Sequence, residues 1–327
     1  MNGSLGDDRC SVCGDVRGAV HHAREMMYGT RDEFSYLECA GCGCVQLIDP
    51  PADPSSYYAA DYHALKPPKR GLASPVVDAL KRARARYEIT GKGFLGRALA
   101  ARYPATILNE PWVKELVQTT DPSARILDVG CSYGAKLLML RDLGYRRLAG
   151  ADPYVAEDID YGNGVVIQRR ELPEVAGAFD VVMLHHSFEH MAKPRDVLAT
   201  VERLLEPGGL LLIRVPVIAF AWREYGVDWV QLDAPRHLFL HTEKSLGMLA
   251  AEAGFSVEQV LYDSTEFQFF GSEQYRAGIP LRDERSYWVG SPNSPFTPDQ
   301  ISAFRAHAQE LNAHGDGDQA CFFLRRA

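Results

Sequence analysis

The 327-residue sequence predicts an α/β chain: a doubly wound, largely parallel sheet preceded by a small cysteine-bearing head. Three observations carry this. Apolar runs of strand length recur between stretches of helical spacing from about residue 110 onward. The segment Arg125-Ile126-Leu127-Asp128-Val129-Gly130-Cys131-Ser132-Tyr133-Gly134 reads as a short strand entering a glycine-bearing turn and then a helix. Near the amino terminus, two Cys-x-x-Cys pairs are separated by 25 residues.

Taken in order, the first strand is the run ending at Val129. Ala135 to Leu143 has apolar residues at helical spacing and stops at Gly144. Arg147 to Asp152 is a second strand, Val165 to Ile167 a third, Phe179 to Leu184 a fourth and Leu210 to Val215 a fifth. Near-continuous apolar runs of this kind suit strands buried on both faces of a parallel sheet. Pro194 opens a helix through Leu205, and Glu206-Pro207-Gly208-Gly209 is read as its stop. Thr242 is a good cap for a helix that closes at Gly254. Ser256 to Leu261 and Ala320 to Leu324 supply a sixth and a seventh strand. Residues 264–318 make a long excursion, helical from Thr297 to Asn312, that shapes a substrate lid or an oligomer contact.

Ligands of open α/β sheets bind at the carboxyl ends of strands. A dinucleotide fingerprint needs Gly-x-Gly-x-x-Gly, with room for a pyrophosphate. Here Gly130 and Gly134 flank Ser132, and Asp128 repels a pyrophosphate at close range while attracting a cationic group. Asp152, at the next strand end, is placed to accept both hydroxyls of a ribose. The pattern resembles the acidic-x-Gly-x-Gly-x-Gly motif of class I S-adenosylmethionine-dependent methyltransferases, with Ser132 at the middle glycine. The resemblance covers residues 110–327 and implies a Rossmann-like seven-stranded sheet. It implies a cofactor site of Asp128, Gly130, Cys131, Ser132, Gly134 and Asp152, with Glu171 and Leu172 at the adenine and His185 beside the cofactor.

Two clusters bear on the acceptor. His185-His186-Ser187-Phe188-Glu189-His190 follows the fourth strand and resembles the Leu-Glu-His segment of small-molecule methyltransferases. Histidine titrates near neutrality and takes protons from hydroxyls, amines or acidic carbons; a structural Glu189–His190 pair is the competing reading. After the fifth strand come Trp222, Tyr225, Trp229, Gln231, Asp233, Pro235, Arg236 and His237, where relatives carry a substrate-covering segment. The alternative is an irregular loop whose aromatics pack on the sheet. His237 leads the base candidates, with His186 and His190 behind it. Trp222, Tyr225, Trp229, Asp233 and Arg236 are expected to contact the acceptor.

In the head, Cys10, Cys13, Cys39 and Cys42 offer four thiolates from two chelating turns, followed by Gly14 and Gly43. Such a set suits a closed, structural, tetrahedral zinc site. No apolar secretory segment precedes Cys10, so a reducing cytoplasm and free thiols are expected rather than disulfides. Asp49-Pro50-Pro51, then Tyr57, Tyr58 and Tyr62, resembles bacterial methyltransferases with a zinc-ribbon-like head, a group that acts on nucleotide-linked sugars, polysaccharide precursors and antibiotic scaffolds. The tyrosines line the acceptor site or pack the head.

The division expected is a zinc-binding head over 1–65, a basic helical linker over 66–109 and a catalytic domain over 110–327. Hydrophobic residues make up 46% of the chain, and no run reaches bilayer length. A net charge of −8 argues against broad nucleic-acid binding. Between Lys66 and Arg102, ten Lys or Arg face two acids; this is a solvated basic face or the seat of a phosphate-bearing substrate. The expected activity is methyl transfer from S-adenosyl-L-methionine to a small molecule, such as a nucleotide-linked or phosphorylated sugar or a secondary metabolite. An RNA base methyltransferase and a non-catalytic adenosyl-binding scaffold are the alternatives.

Overall fold

The computed structural model describes residues 9–58, 75–103 and 110–327. In chain order, three strands come first: β1 (Gly18–Arg24), β2 (Glu33–Cys39) and β3 (Val45–Leu47). Helices α1 (Pro75–Thr90), α2 (Phe94–Arg102) and α3 (Pro111–Thr119) follow. Alternation then begins with β4 (Arg125–Val129), α4 (Ala135–Leu143), β5 (Arg147–Ala151), β6 (Ile159–Asp160), β7 (Val165–Gln168) and β8 (Phe179–His185). It continues through α5 (Pro194–Leu204), β9 (Leu205–Pro216), α6 (Phe220–Tyr225), β10 (Phe239–Leu240), α7 (Glu243–Glu252) and β11 (Phe255–Tyr262). The chain ends in α8 (Phe267–Arg276), α9 (Pro298–Ala313) and β12 (Gln319–Arg326).

These elements gather into two compact units, one of residues 60–185, 199–213 and 323–327, the other of 1–59, 186–198 and 214–322. The first holds the strand order β9-β8-β4-β5-β7-β6. β4 runs parallel to β5, in register from Arg125↔Arg147 to Val129↔Ala151, and parallel to β8 on its other side. β5 is parallel to β7, and the two-residue β6 is antiparallel to β7. Ile126, Leu127 and Val129 of β4 and Val181 to Leu184 of β8 are all buried. That two-sided burial is why these strands read as unbroken apolar runs rather than alternating ones. α4 is bounded by Gly134 and Gly144, both left-handed at φ 72° and 114°, a conformation that glycine adopts without strain.

In the second unit, β1 and β2 form a seven-residue antiparallel ladder from Gly18↔Cys39 to Arg24↔Glu33. β3 pairs with β2, and β10 with β3, giving the order β1-β2-β3-β10. In this unit β11 lies beside β12. α7 starts with a reciprocal cap between Thr242 and Ser245, and α9 with one between Thr297 and Gln300. α8 and α9 meet through Phe269, which stacks on Phe304 and His307 at 5.3 and 4.9 Å.

The seven strands expected in the α/β region are all present, and β6 adds an eighth to that sheet. Sequence reasoning passed over β6 because two residues carry no period, and over α8 because its buried face mixes Gln268, Ser272 and Gln274 with phenylalanines. Glu206-Pro207-Gly208-Gly209 does not lie beyond a helix that runs to Leu205. α5 ends at Leu204, and the four residues open β9, with Gly208 at φ 71°.

Candidate functional site

At the end of β4, Asp128 is almost fully buried, and its Oδ1 has no hydrogen-bond partner. Burial, with Lys136 opposing and Asp152 reinforcing, raises its carboxyl to about 7. The turn after it bends through left-handed backbone at Gly130, Ser132 and Gly134, with φ of 72°, 50° and 72°. Small side chains there leave the backbone open to close approach. Gly150 of β5 touches this turn from below: a Cβ on it would stand 2.4 Å from Cys131 Sγ and 2.6 Å from Ile167 Cδ1. Asp152 holds the turn from the next strand end. Its Oδ2 accepts from Ser132 N at 2.7 Å and its Oδ1 from Tyr154 N at 2.8 Å. Each oxygen keeps a second lone pair for a ligand hydroxyl. Leu172 is buried and Glu171 exposed at the end of β7, while His185 packs against Trp112 at 4.3 Å.

The residues present fit an adenosyl ligand: an unpartnered buried carboxylate, an open turn and a second carboxylate one strand away. When bound, the sulfonium cofactor supplies the methyl group.

In the other unit the histidines gather around Glu189, which is fully buried and whose two carboxylate oxygens lack hydrogen-bond partners. His186 Nδ1 lies 3.4 Å from its Oε1 and His237 Nε2 lies 4.0 Å from the same atom. Burial pushes the Glu189 carboxyl up, but His186, His190 and His237 outweigh it and bring it to about 2. His190 Nδ1 faces the Arg236 carbonyl and His237 Nδ1 the Gln231 carbonyl, both at 2.8 Å. A carbonyl only accepts, so each Nδ1 carries the proton and each Nε2 a lone pair. Burial, aided by His237, lowers the His190 pKa. His186 differs: Arg214 Nη1 donates to its Nε2 at 2.8 Å, so its lone pair is already used. The ring edges of His190 and His237 meet at 4.8 Å.

The structure corrects several of the acceptor-contact expectations. Arg236 is wholly buried and its donors are used inside the protein. Its Nε donates to Asp233, Nη1 to the Tyr57 carbonyl at 3.0 Å, and Nη2 to Asp233 Oδ1 and Glu25 Oε1 at 2.7 and 2.9 Å. Four of its five N–H donors are thus used inside the protein and its side chain has no exposure, so it offers no fork to a phosphate, and Asp233 is spoken for as its counter-charge. Burial pushes the Asp233 carboxyl up, yet Arg236 and His237 pull it below the usual carboxylate range. Trp229 is fully buried with Nε1 on Asp318 at 2.8 Å, so it is core. Trp222 donates to Glu38, and Tyr225 donates to Glu273 beneath the Arg276 guanidinium; both are buried. Tyr57 donates to Asp32 at 3.0 Å, whereas the Tyr58 hydroxyl lies 3.5 Å from His190 Nδ1. Tyr62, Lys66, Lys69 and Arg70 lie outside the described residues.

Sequence reasoning missed Glu25 and Arg214. Glu25 is a fully buried acid that accepts from the backbone N–H groups of Tyr28, Gly29 and Thr30 at 2.8–3.2 Å besides pairing with Arg236. An acid three residues before a Tyr-Gly turn was the available signal. Arg214 interrupts an otherwise apolar strand and pairs with Asp263 at 2.6 Å.

Ligand atoms of Cys10, Cys13, Cys39 and Cys42 lie within 4.8 Å of one another, the Cys10–Cys42 and Cys13–Cys39 sulfurs at 3.6 and 3.4 Å. All four are free thiols, and the set can hold a metal ion. Gly14 and Gly43, each left-handed, close the two turns, and Thr242 Oγ1 donates to the Cys42 carbonyl at 2.7 Å. Cys44 is fully buried 3.9 Å from His241 and is not part of the four.

Residues 100–260 match the family model of a methyltransferase domain. The ubiquinone biosynthesis O-methyltransferase of Maricaulis maris is 34% identical over 34% of this chain and 49% of its own length. The enzyme of the same name from Caulobacter sp. is 30% identical over 32% and 49%. The chain thus spans about half the length of the curated relatives it matches. A solved SAM-dependent methyltransferase from Archaeoglobus fulgidus covers 72% of this chain and all of its own, at 14% identity and a TM-score of 0.42. Residues 100–260, which hold the strand–turn–helix at β4 and the carboxylates closing β4 and β5, are thus a methyltransferase domain.

Proposed function

We propose that this chain transfers the methyl group of S-adenosyl-L-methionine to an oxygen of a small-molecule acceptor. The observation that supports it most is Asp128, a buried carboxylate with an oxygen left unsatisfied beside a glycine-bearing turn. In this reading Asp128 holds the cationic methionyl end, Asp152 the ribose hydroxyls, and the turn of 130–134 the adenosyl body; Glu171 and Leu172 take the adenine edge. Transfer is an in-line displacement: the acceptor oxygen bonds the methyl carbon, the S–CH3 bond breaks, and its electron pair stays on sulfur. The chain's own task is to remove the acceptor's proton. His237 is suited to this, because its Nδ1 is pinned to Gln231 O and its Nε2 lone pair faces two carboxylates, Glu189 at 4.0 Å and Asp233 at 3.9 Å, that stabilise the imidazolium formed. His190 is its neighbour in the same role, and His186 is the weaker candidate because Arg214 occupies it. The O-methyltransferase names of the relatives support oxygen as the target. Sugar-linked, polysaccharide-precursor and secondary-metabolite hydroxyls are the acceptor classes to screen first, phosphorylated ones included.

The test is incubation with methyl-labelled cofactor and a panel of phenolic, sugar and nucleotide-sugar hydroxyls. Label in an extracted product, lost in Asp152→Ala, supports the proposal; no transfer across the panel, with the cofactor demonstrably bound, argues for the adenosyl-binding scaffold. Asp152→Ala is expected to weaken S-adenosylhomocysteine binding by about 10- to 100-fold in calorimetry, the cost of one or two hydrogen bonds to a charged acceptor.

For the head, we propose that Cys10, Cys13, Cys39 and Cys42 bind one structural Zn2+. Elemental analysis of reduced protein is expected to find one zinc per chain. Stripping it should lower the melting temperature of the protein, because closed thiolate sites contribute folding free energy directly. Cys39→Ser protein that retains a full equivalent of zinc contradicts the assignment.

A further inference from the structure

Glu189 presents a problem that the activity above leaves unsolved. A fully buried carboxylate normally has hydrogen-bond donors or a fixed cation, because an isolated buried charge is costly. Glu189 has no Arg or Lys beside it and no well-formed hydrogen bond: the groups that face it are two histidine rings, His186 Nδ1 at 3.4 Å and His237 Nε2 at 4.0 Å. Nearby Arg236 is committed to Glu25 and Asp233, and Arg214 to Asp263 and His186.

The two histidines grouped with Glu189, His190 and His237, are held as metal ligands are held. His190 and His237 each give the Nδ1 proton to a backbone carbonyl at 2.8 Å, which fixes ring and tautomer and leaves Nε2 for an ion. One ligand atom from each of Glu189, His190 and His237 lies within 4.8 Å of the others. The donor set is chemically distinct from the four thiolates of the head. Two imidazoles and a carboxylate suit borderline divalent ions, and three protein ligands leave coordination positions open.

We propose that Glu189, His190 and His237 bind a divalent transition-metal ion, Mn2+, Fe2+, Co2+ or Zn2+, at a second site with open positions for an acceptor oxygen. This deepens the O-methyl-transfer reading and rests on it for the role of the ion, though not for its binding. A hydroxyl that reaches the ion loses its proton to water more readily, so the ion replaces His237 as the agent of deprotonation while His237 becomes a ligand. The deprotonated oxygen then takes the methyl carbon as before. The acceptors favoured are those with two adjacent oxygens, a vicinal diol or a hydroxyl beside a carbonyl, which can chelate.

The experiment uses the full chain, with zinc retained in the head. Mn2+ is the probe because its preference for oxygen and nitrogen keeps it off the tetrathiolate. Loss of the free Mn2+ electron paramagnetic resonance signal is followed during titration. One saturable Mn2+ per chain is expected, weakened about 10- to 100-fold or more in Glu189→Gln and in His190→Ala, with thermal melts showing that both variants fold. An absence of saturable Mn2+ uptake by the folded wild-type chain, with zinc analysis finding only the head's equivalent, overturns the proposal. So does Mn2+ binding left unchanged in both variants. S-adenosylhomocysteine titration of the same samples separates the two claims. Cofactor binding and methyl transfer without Mn2+ uptake remove the metal alone, and Mn2+ uptake without cofactor binding removes the methyl-transfer reading alone.

Discussion

Arg236→Ala is expected to destabilise the protein by about 3–5 kcal/mol, the cost of removing one partner from a buried ion pair. Arg236 stands between Glu25 and Asp233 with no exposure of its side chain. Its removal leaves two carboxylates facing each other in a site that water cannot easily reach. Glu25 keeps its three backbone donors, but Asp233 loses the guanidinium that holds its carboxyl low. A melting-temperature shift of several degrees, largely restored when Glu25→Gln and Asp233→Asn accompany Arg236→Met, is the result expected from differential scanning calorimetry. The restored variant separates charge burial from lost packing: replacing a whole buried ionic group with apolar or neutral residues of similar volume is often close to neutral. An Arg236→Ala protein as stable as wild type contradicts the reading of Arg236 as structural and returns it to substrate contact.

His237→Ala is expected to lower kcat for methyl transfer by about 100- to 10,000-fold, the range contributed by a group that removes the acceptor's proton, whether as the base itself or as a ligand of the proposed ion. Cofactor affinity is expected to stay unchanged, because Asp128, Asp152 and the turn of 130–134 are untouched. His186→Ala is expected to have the smaller effect, since Arg214 already occupies its Nε2. The pair is read by single-turnover rates alongside calorimetric cofactor binding. If His186→Ala is the more damaging change, the proton leaves by another route.

The parallel strands of the first unit were legible in sequence for a physical reason. A parallel strand buried on both faces must be apolar along its length, so β4, β5, β7 and β8 stand out as runs, and whatever polar residue closes such a run lies where ligands bind. Asp128 and Asp152 were placed at strand ends that way, and the structure has them at the ends of β4 and β5. The four cysteines were legible because chelation ties ligand chemistry to sequence spacing. The acceptor side was not. Its aromatics and charges are the same residue types that close an irregular core, and only tertiary partners decide which role each takes. Trp229 could not be assigned to the core without Asp318, 89 residues away, nor Arg236 without Glu25, 211 residues away. Strand β10 is two residues long and pairs with β3 nearly two hundred residues earlier, a long-range contact that no local period announces. Three histidines in six residues marked the segment 185–190, but their tautomers, and with them the difference between His186 and His237, depend on which carbonyl or guanidinium each ring faces.

The central claim is that an adenosyl sulfonium ligand is held where β4 passes through its turn into α4, by carboxylates at the ends of β4 and β5. Calorimetric titration of the folded wild-type chain with S-adenosyl-L-methionine, across pH 6 to 8, tests it most directly. In the free protein Asp128 is held near 7 by burial, and a cationic ligand favours its ionised form. Binding is therefore expected to be saturable at one per chain, strongest at pH 8, and weaker as pH falls through about 7, where uptake of the ligand expels a proton. An absence of saturable binding at pH 8, in protein that melts cooperatively, contradicts the account at its root.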